Sequence, residues 1–352
     1  MSENYVAKET GSGMRHDSST SIARTRVAML LYPHLQQQLF SPSALRQLSS
    51  FADVVYPPEN QALGEALPQL LEEAEVCITG WDTPYLGDDI LDRTPRLRLI
   101  AHSAGSLRSL LPPSVFERGI RVTHSNAALA EGVAEFTVLL ALSCLTHLHE
   151  FNQLMKRQQG WRDLPPGRLL SAQVFGIVGV GSIGRGVIER LRPFGCRIQV
   201  CDPYVSSAEA ARLGVELVDL DTLCATSDII SLHAPMLPET RGMIQAAQFA
   251  RMRDGAIFLN TARAALVDEE ALLNELCAGR IFAALDVFNQ EPLPAGSPLR
   301  TLPNVILSPH IAALTKDTLF KQGQMMVDEV QCFLQGQKPR YEVKPEMWSI
   351  MA

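Results

Sequence analysis

The chain has no surplus of positive charge. Its 31 Lys and Arg are outnumbered by 38 Asp and Glu, leaving a formal charge of −7 over 352 residues. That argues against a broad nucleic-acid or anionic-membrane surface. It also lacks a run of about 18 apolar residues free of polar interruption, so no membrane-spanning helix is expected. No apolar core of the kind a secretory leader carries precedes Arg26. The seven cysteines are odd in number and contain no C-x-x-C pair, and reduced thiols in a cytoplasmic protein are the plain reading. The eight histidines show no ligand spacing. His147 and His149, two apart, would point to different sides of a helix, and no metal is expected. What is present is a globular mixture, 46% hydrophobic and 20% charged, with material for two domains of ordinary size.

Residues 1–25 are rich in Ser, Thr and Gly without apolar periodicity and read as a disordered head. Order is expected from the run Arg26-Val-Ala-Met-Leu-Leu-Tyr. Strands at 52–56, 76–79, 97–101 and 121–124 follow, with helices near 43–50 and 63–73. Strands alternating with helices imply a parallel, doubly wound sheet. Residues 127–155 form the longest helical pattern, apolar on more than one side. A domain crossover that packs on a second subunit would satisfy it, as would an ordinary long core helix. Further strands are expected at 216–218, 229–233, 256–260, 282–286 and 305–308, a helix at 268–278, and a last helix at 315–334 stopped by Gly336. With two strands of the nucleotide unit described next, the second sheet should hold six or seven.

The second lobe opens on a short apolar run, 174–180, followed by Gly179, Gly181 and Gly184 in G-x-G-x-x-G spacing, then a helical segment at 185–194. A second run, 196–200, leads to Asp202, 18 positions after Gly184. Gly179 permits a tight turn, Gly181 lets backbone approach a pyrophosphate, and Gly184 lets helix pack on strand. The helix start supplies N–H groups and a positive dipole end to the phosphates. Asp202 suits the ribose hydroxyls, and its charge would repel a 2′-phosphate. NAD is therefore expected rather than NADP.

Ligands of such sheets gather beyond the carboxyl ends of the strands. One expected strand ends at Asn260-Thr-Ala-Arg263, another at Asp286-Val-Phe-Asn-Gln-Glu291, the last at Ser308-Pro-His310. Hydride transfer to a ketone needs a cation to hold the substrate carboxylate, a proton for the carbonyl oxygen and a group that keeps the donor charged. Arg263, His310 and Glu291 match these needs in turn. Singly, each residue type is more often a solvated charge or a loop residue. Their joint placement on strand ends makes them the catalytic candidates.

The run from Met252 to Ala312, MRDGAIFLNTARAALVDEEALLNELCAGRIFAALDVFNQEPLPAGSPLRTLPNVILSPHIA, resembles the signature region of the D-isomer-specific 2-hydroxyacid dehydrogenases. GVGSIG upstream and HAPMLPETRGMI from His233 resemble the same family's other motifs. The resemblance implies a Rossmann NAD-binding domain, 126–311, inserted into a flavodoxin-like substrate-binding domain, 26–125 and 312–352. It also implies interconversion of a 2-oxo acid and a D-2-hydroxy acid, usually by a homodimer built around the long helix. Arg263, Glu291 and His310 fall on the catalytic positions, and Ser182 and Ile183 on the pyrophosphate contacts. Ala234, Thr261 and Asp286 fall on further cofactor contacts, Asp286 toward the nicotinamide carboxamide. Ser103, Ala104 and Gly105 fall on the loop whose backbone N–H groups hold the substrate carboxylate. Two departures stand out. Ala264 replaces the glycine usual after the arginine, and Ser106-Leu-Arg-Ser replaces a G-x-D pattern. His102, Arg108, Trp81 and Trp161 could all approach the substrate, but core or surface roles suit each better. Two rivals accompany this expectation: a phosphite-type dehydrogenase on the same scaffold, and an NAD-sensing, corepressor-like binding protein. A formate dehydrogenase is disfavoured because those enzymes tend to place Gln at the position of Glu291.

Overall fold

The computed structural model describes residues 24–350 apart from 59, 159, 160 and 162. The expected head thus lies almost wholly outside the described residues, as does Gly160. Two parallel sheets organise the chain. The first contains β1 (Thr25–Leu30), β2 (Ala52–Val55), β3 (Val76–Thr79), β4 (Leu99–His102) and β5 (Arg121–His124), in the order β2-β1-β3-β4-β5. The second contains β6 (Val174–Val178), β7 (Arg197–Cys201), β8 (Glu216–Leu217), β9 (Ile229–Leu232), β10 (Ile257–Asn260), β11 (Phe282–Leu285) and β12 (Val305–Leu307). Its order is β12-β11-β10-β9-β6-β7-β8. Every residue of β3, β4, β9 and β10 is buried, the mark of strands covered by helices on both faces. In the second sheet the order reverses beside β6, and sheets of this kind bind their ligands beyond the carboxyl ends at such a point.

The expected single helix at 127–155 is two helices, Asn126–Leu145 and Leu148–Lys156. His147 between them has a left-handed backbone, φ 53°, and the Leu145 carbonyl is taken by the N–H of Arg168 on the returning chain. Apolar periodicity carried across the break because both pieces contribute Leu residues at helical intervals. The first piece, the crossover helix, is long and apolar enough to cross a membrane by length and composition, although Glu131, Glu135, Thr137 and Ser143 interrupt its apolar residues. Its residues are nevertheless largely enclosed, 61% of its most apolar stretch being buried inside the protein. It packs on the helix Ser182–Leu191, where Gly186 faces Ala134.

The helix Lys316–Leu334 carries the chain back to the first lobe, against β4 and the helices Pro33–Leu39 and Pro42–Phe51. Gly323 sits directly on the Leu39 carbonyl, where any Cβ would overlap it. The helix Pro33–Leu39 escaped the sequence reading because only Leu35 and Leu39 are buried around three glutamines.

Candidate active site

Between β6 and the Ser182–Leu191 helix, the chain turns at Gly179 with φ +94°. A Cβ there would stand 2.6 Å from the Ala234 nitrogen, so the turn presses on the chain leaving β9. At Gly184 a side chain would collide with the Gly179 carbonyl. Gly181 differs: nothing lies within 4 Å of a Cβ built on it. It caps a ten-residue helix with no side-chain acceptor for the first N–H groups, those of Ser182 and Ile183. An open cradle at an uncapped helix start fits a pyrophosphate. Asp202 accepts from Val180 N at 2.7 Å and from Tyr204 N at 2.8 Å. These bonds fix a carboxylate at the end of β7 beside the glycine turn, as a dinucleotide's ribose requires. Gly181→Ala is expected to fold with an unchanged melting temperature, since its φ of −71° suits alanine, yet to weaken NADH binding at least tenfold by titration calorimetry.

At the ends of β10, β11 and β12 the three catalytic candidates come together. Asn260 folds the turn after β10. Its Oδ1 accepts from Ala262 N and its Nδ2 donates to the Arg263 carbonyl, both at 3.0 Å. Arg263 donates from Nη1 to the Ala262 carbonyl at 2.7 Å. Burial lowers its pKa, and the Glu291 charge acts against that. Ala264 opens a short 3-10 turn, and the described non-glycine residues with positive φ are His147, Gln158 and His310. The missing glycine therefore costs no backbone strain. Glu291 accepts from Phe288 N at 3.0 Å through one oxygen and meets His310 Nδ1 at 2.8 Å through the other. Partial burial raises the Glu291 pKa. The His310 bond, the Phe288 N–H and the charges of His310 and Arg263 outweigh it, so the net shift is downward. The His310 ring is half exposed, and Nδ1 is the nitrogen engaged, leaving Nε2 for a ligand.

Asp286, expected toward the nicotinamide carboxamide, is held within the protein. It is fully buried. Oδ1 accepts from the Ser308 hydroxyl at 2.5 Å and Ile311 N at 2.9 Å, and Oδ2 accepts from Ala312 N at 2.9 Å. These bonds flank His310, whose φ of 54° is left-handed. Asp286 thus holds the histidine loop. Asn260 and Ser308, overlooked in the sequence, share this work of shaping loops, and only their adjacency to the candidate residues signalled it. Thr261 reaches Thr137 of the crossover helix, Oγ1 to Oγ1 3.2 Å, and Ala234 is buried against the glycine turn.

The 103–105 loop also needs correction. Both the N–H and the hydroxyl of Ser103 donate to the Thr79 carbonyl, at 2.8 and 2.6 Å. Ser103 therefore has no N–H to offer a carboxylate, which leaves Ala104 and Gly105. Beneath the loop lies His102, bonded through Nδ1 to Thr79 Oγ1 at 2.9 Å. Burial pushes its pKa down to about 3, helped by neighbouring His124 and opposed by the Ser106 backbone. His233, behind the glycine turn, is pushed down to about 3 by burial alone. Its Nε2 meets Ser231 Oγ at 2.9 Å, and its Nδ1 is buried without a partner. Trp81 and Trp161 are exposed, and Arg108 bonds the Trp348 carbonyl.

Two neutral buried histidines have a consequence for stability. The folded pKa lies below the unfolded one, so between about pH 6.5 and about 3 the unfolded chain binds more protons. Stability is thus complete above about pH 6.5 and falls with acidification by up to about 1.4 kcal/mol per pH unit for each histidine. Denaturant melts of His233→Gln should show a shallower acid slope than wild type. Identical slopes would mean that His233 titrates alike in both states.

The model of the D-isomer specific 2-hydroxyacid dehydrogenase NAD-binding domain matches residues 138–312. The chain is 32% identical over 318 residues to a glyoxylate reductase of Thermofilum pendens, covering 87% of this chain and 92% of that one. It is 34% identical over 275 residues to a D-3-phosphoglycerate dehydrogenase of Methanocaldococcus jannaschii, covering 78% of this chain and 52% of the relative, about half its length. Among solved structures, a phosphoglycerate oxidoreductase from Rhizobium etli superimposes with a TM-score of 0.76 at 29% identity, over 91% of this chain and 99% of that one.

Proposed function

The chain belongs to the D-isomer specific 2-hydroxyacid dehydrogenase family of NAD-dependent oxidoreductases, and on that premise we propose that it reduces a small 2-oxo acid to the D-2-hydroxy acid. The observation that carries the reading is the His310–Glu291 pair at 2.8 Å, with the half-buried Arg263 close enough for its charge to act on Glu291. NAD, when bound in the glycine cradle, supplies or accepts the hydride. Arg263 binds the substrate carboxylate through two parallel N–H bonds, strengthened by a partial burial that limits competing water. Ala104 and Gly105 add backbone N–H donors. His310 gives the proton on Nε2 to the carbonyl oxygen in reduction and takes it back in oxidation. Glu291 stabilises the imidazolium and fixes its ring through Nδ1. Orientation of the oxo acid between arginine and histidine supplies much of the rate.

A homodimer is part of this proposal. Leu139, Leu148, Met155, Trp161 and Leu169 are large, apolar and exposed along the crossover helix and the chain after it, an arrangement suited to a second copy. The unpaired cysteines support placement in the cytoplasm.

The test is steady-state NADH oxidation with a panel that includes glyoxylate, hydroxypyruvate and bulkier 2-oxo acids. Turnover with a D-configured product supports the reading. Tight NADH binding without turnover on any oxo acid would favour a cofactor-sensing binding protein, and NAD reduction by phosphite alone a phosphite-type dehydrogenase.

A further inference from the structure

The Ser106-Leu-Arg-Ser stretch, where the chain departs from its family, is held by the residues that follow the last long helix. Residues 341–343 add to the edge strand β5. Glu342 bridges Thr123 in antiparallel sense, Val343 N donates to the Val122 carbonyl at 2.8 Å, and Arg121 grips the Glu342 carboxylate at 2.5 and 2.9 Å. The 3-10 helix Pro345–Ile350 then lies over the outer side of the first lobe. Met347 and Trp348 pack on the cluster that encloses Leu107, Leu110 and Leu111. Trp348 meets Phe116 edge-on at 5.6 Å between ring centres. Its carbonyl accepts from Arg108 Nη2 at 3.0 Å.

The inner side of the same loop is closed. At Gly105 a Cβ would stand 2.6 Å from Asn126 Oδ1 and 3.1 Å from Leu129 Cδ1, so the loop already touches the start of the crossover helix. Movement inward is blocked by packing, and movement outward is opposed by Arg108 and the residues that anchor it. Ala104 and Gly105, whose N–H groups face the substrate carboxylate in the function proposed above, lie between these two restraints.

We propose that residues 341–348 form a strap that positions the carboxylate-binding loop, with Arg108 as the positioning residue that ties the two through the Trp348 carbonyl. The inference rests on the oxo-acid reading of the site. It assigns to this chain's C-terminal segment a part in substrate affinity that the catalytic residues do not have. The strap holds the loop and leaves the hydride and proton steps unchanged.

The test compares full-length protein with Trp348→Ala, Trp348→Phe, Arg108→Ala and a chain ending at Lys344. With the best oxo acid of the panel, Trp348→Ala, Arg108→Ala and the shortened chain should each raise KM about tenfold. Their kcat should stay within about twofold, NADH affinity should not change, and Trp348→Phe should behave as wild type. Hydrogen exchange at residues 104–109 should be accelerated in the same three variants. A KM rise confined to Arg108→Ala would mean that the arginine contacts substrate itself, and would overturn the strap. So would a lowered melting temperature with KM and exchange at wild-type values. If the wild-type protein reduced no oxo acid, the functional reading would fall, and exchange at 104–109 would still decide whether the strap holds the loop.

Discussion

His310→Gln is expected to reduce oxo acid at roughly 10⁻² to 10⁻⁴ of the wild-type rate, the range that a positioned general acid supplies, while binding NADH as wild type does. The expectation follows from the geometry at the end of β12. His310 stands in a loop pinned on both sides by Asp286, its Nδ1 is committed to Glu291, and its ring is half exposed. Glutamine keeps a polar side chain of similar reach but has no proton to give at neutral pH. Glu291→Gln should fall between the two. It retains a hydrogen bond to the ring but removes the carboxylate that the surrounding N–H and positive charges hold ionised. Stopped-flow reduction with saturating NADH measures both. Wild-type turnover by His310→Gln would remove this histidine from the chemistry.

Arg263→Ala should lower kcat/KM for the oxo acid by roughly two to three orders of magnitude, consistent with the roughly 2–5 kcal/mol that follows loss of one member of a buried, hydrogen-bonded charge pair. Most of the loss should appear in KM, because the carboxylate is held both before and during hydride transfer. NADH affinity should change little. Arg263→Lys restores charge without the planar fork and should recover only part of the activity. Equal losses in Lys and Ala would show that the bidentate shape, rather than charge, holds the substrate. Unaltered kinetics in Arg263→Ala would assign the carboxylate to another group. The partial burial that lowers the Arg263 pKa also sharpens its attraction for an anion, since less solvent competes.

Much of this site was legible without coordinates because it is built at strand ends. A strand, a glycine turn and a helix in that order have local sequence causes, and so do the endings at Asn260, Leu285 and Leu307. The proximity of Arg263, Glu291 and His310 followed from parallel order alone, since β10, β11 and β12 are consecutive neighbours in the sheet. Periodicity failed at His147, where the helix ends because a distant segment caps Leu145 and the backbone turns left-handed. Nothing local to residues 127–155 encodes that partner.

Hydrogen-bond ownership was likewise out of reach. Whether Ser103 N–H faces a ligand or the Thr79 carbonyl depends on how β3 and β4 are paired. Whether Asp286 touches a cofactor or the loop after β12 depends on Ser308, Ile311 and Ala312 closing around it. Sequence by itself determined the parallel two-lobe architecture, the dinucleotide turn and the residue types that handle hydride-transfer chemistry, because each follows from periodicity, glycine sterics or side-chain acidity within a short stretch. Tertiary structure alone decided which donors remain free, which carboxylate braces a loop and where the C-terminal residues dock. Those outcomes rest on contacts between segments up to 240 positions apart, and a polar group's partner is set by what folding brings within about 3 Å of it.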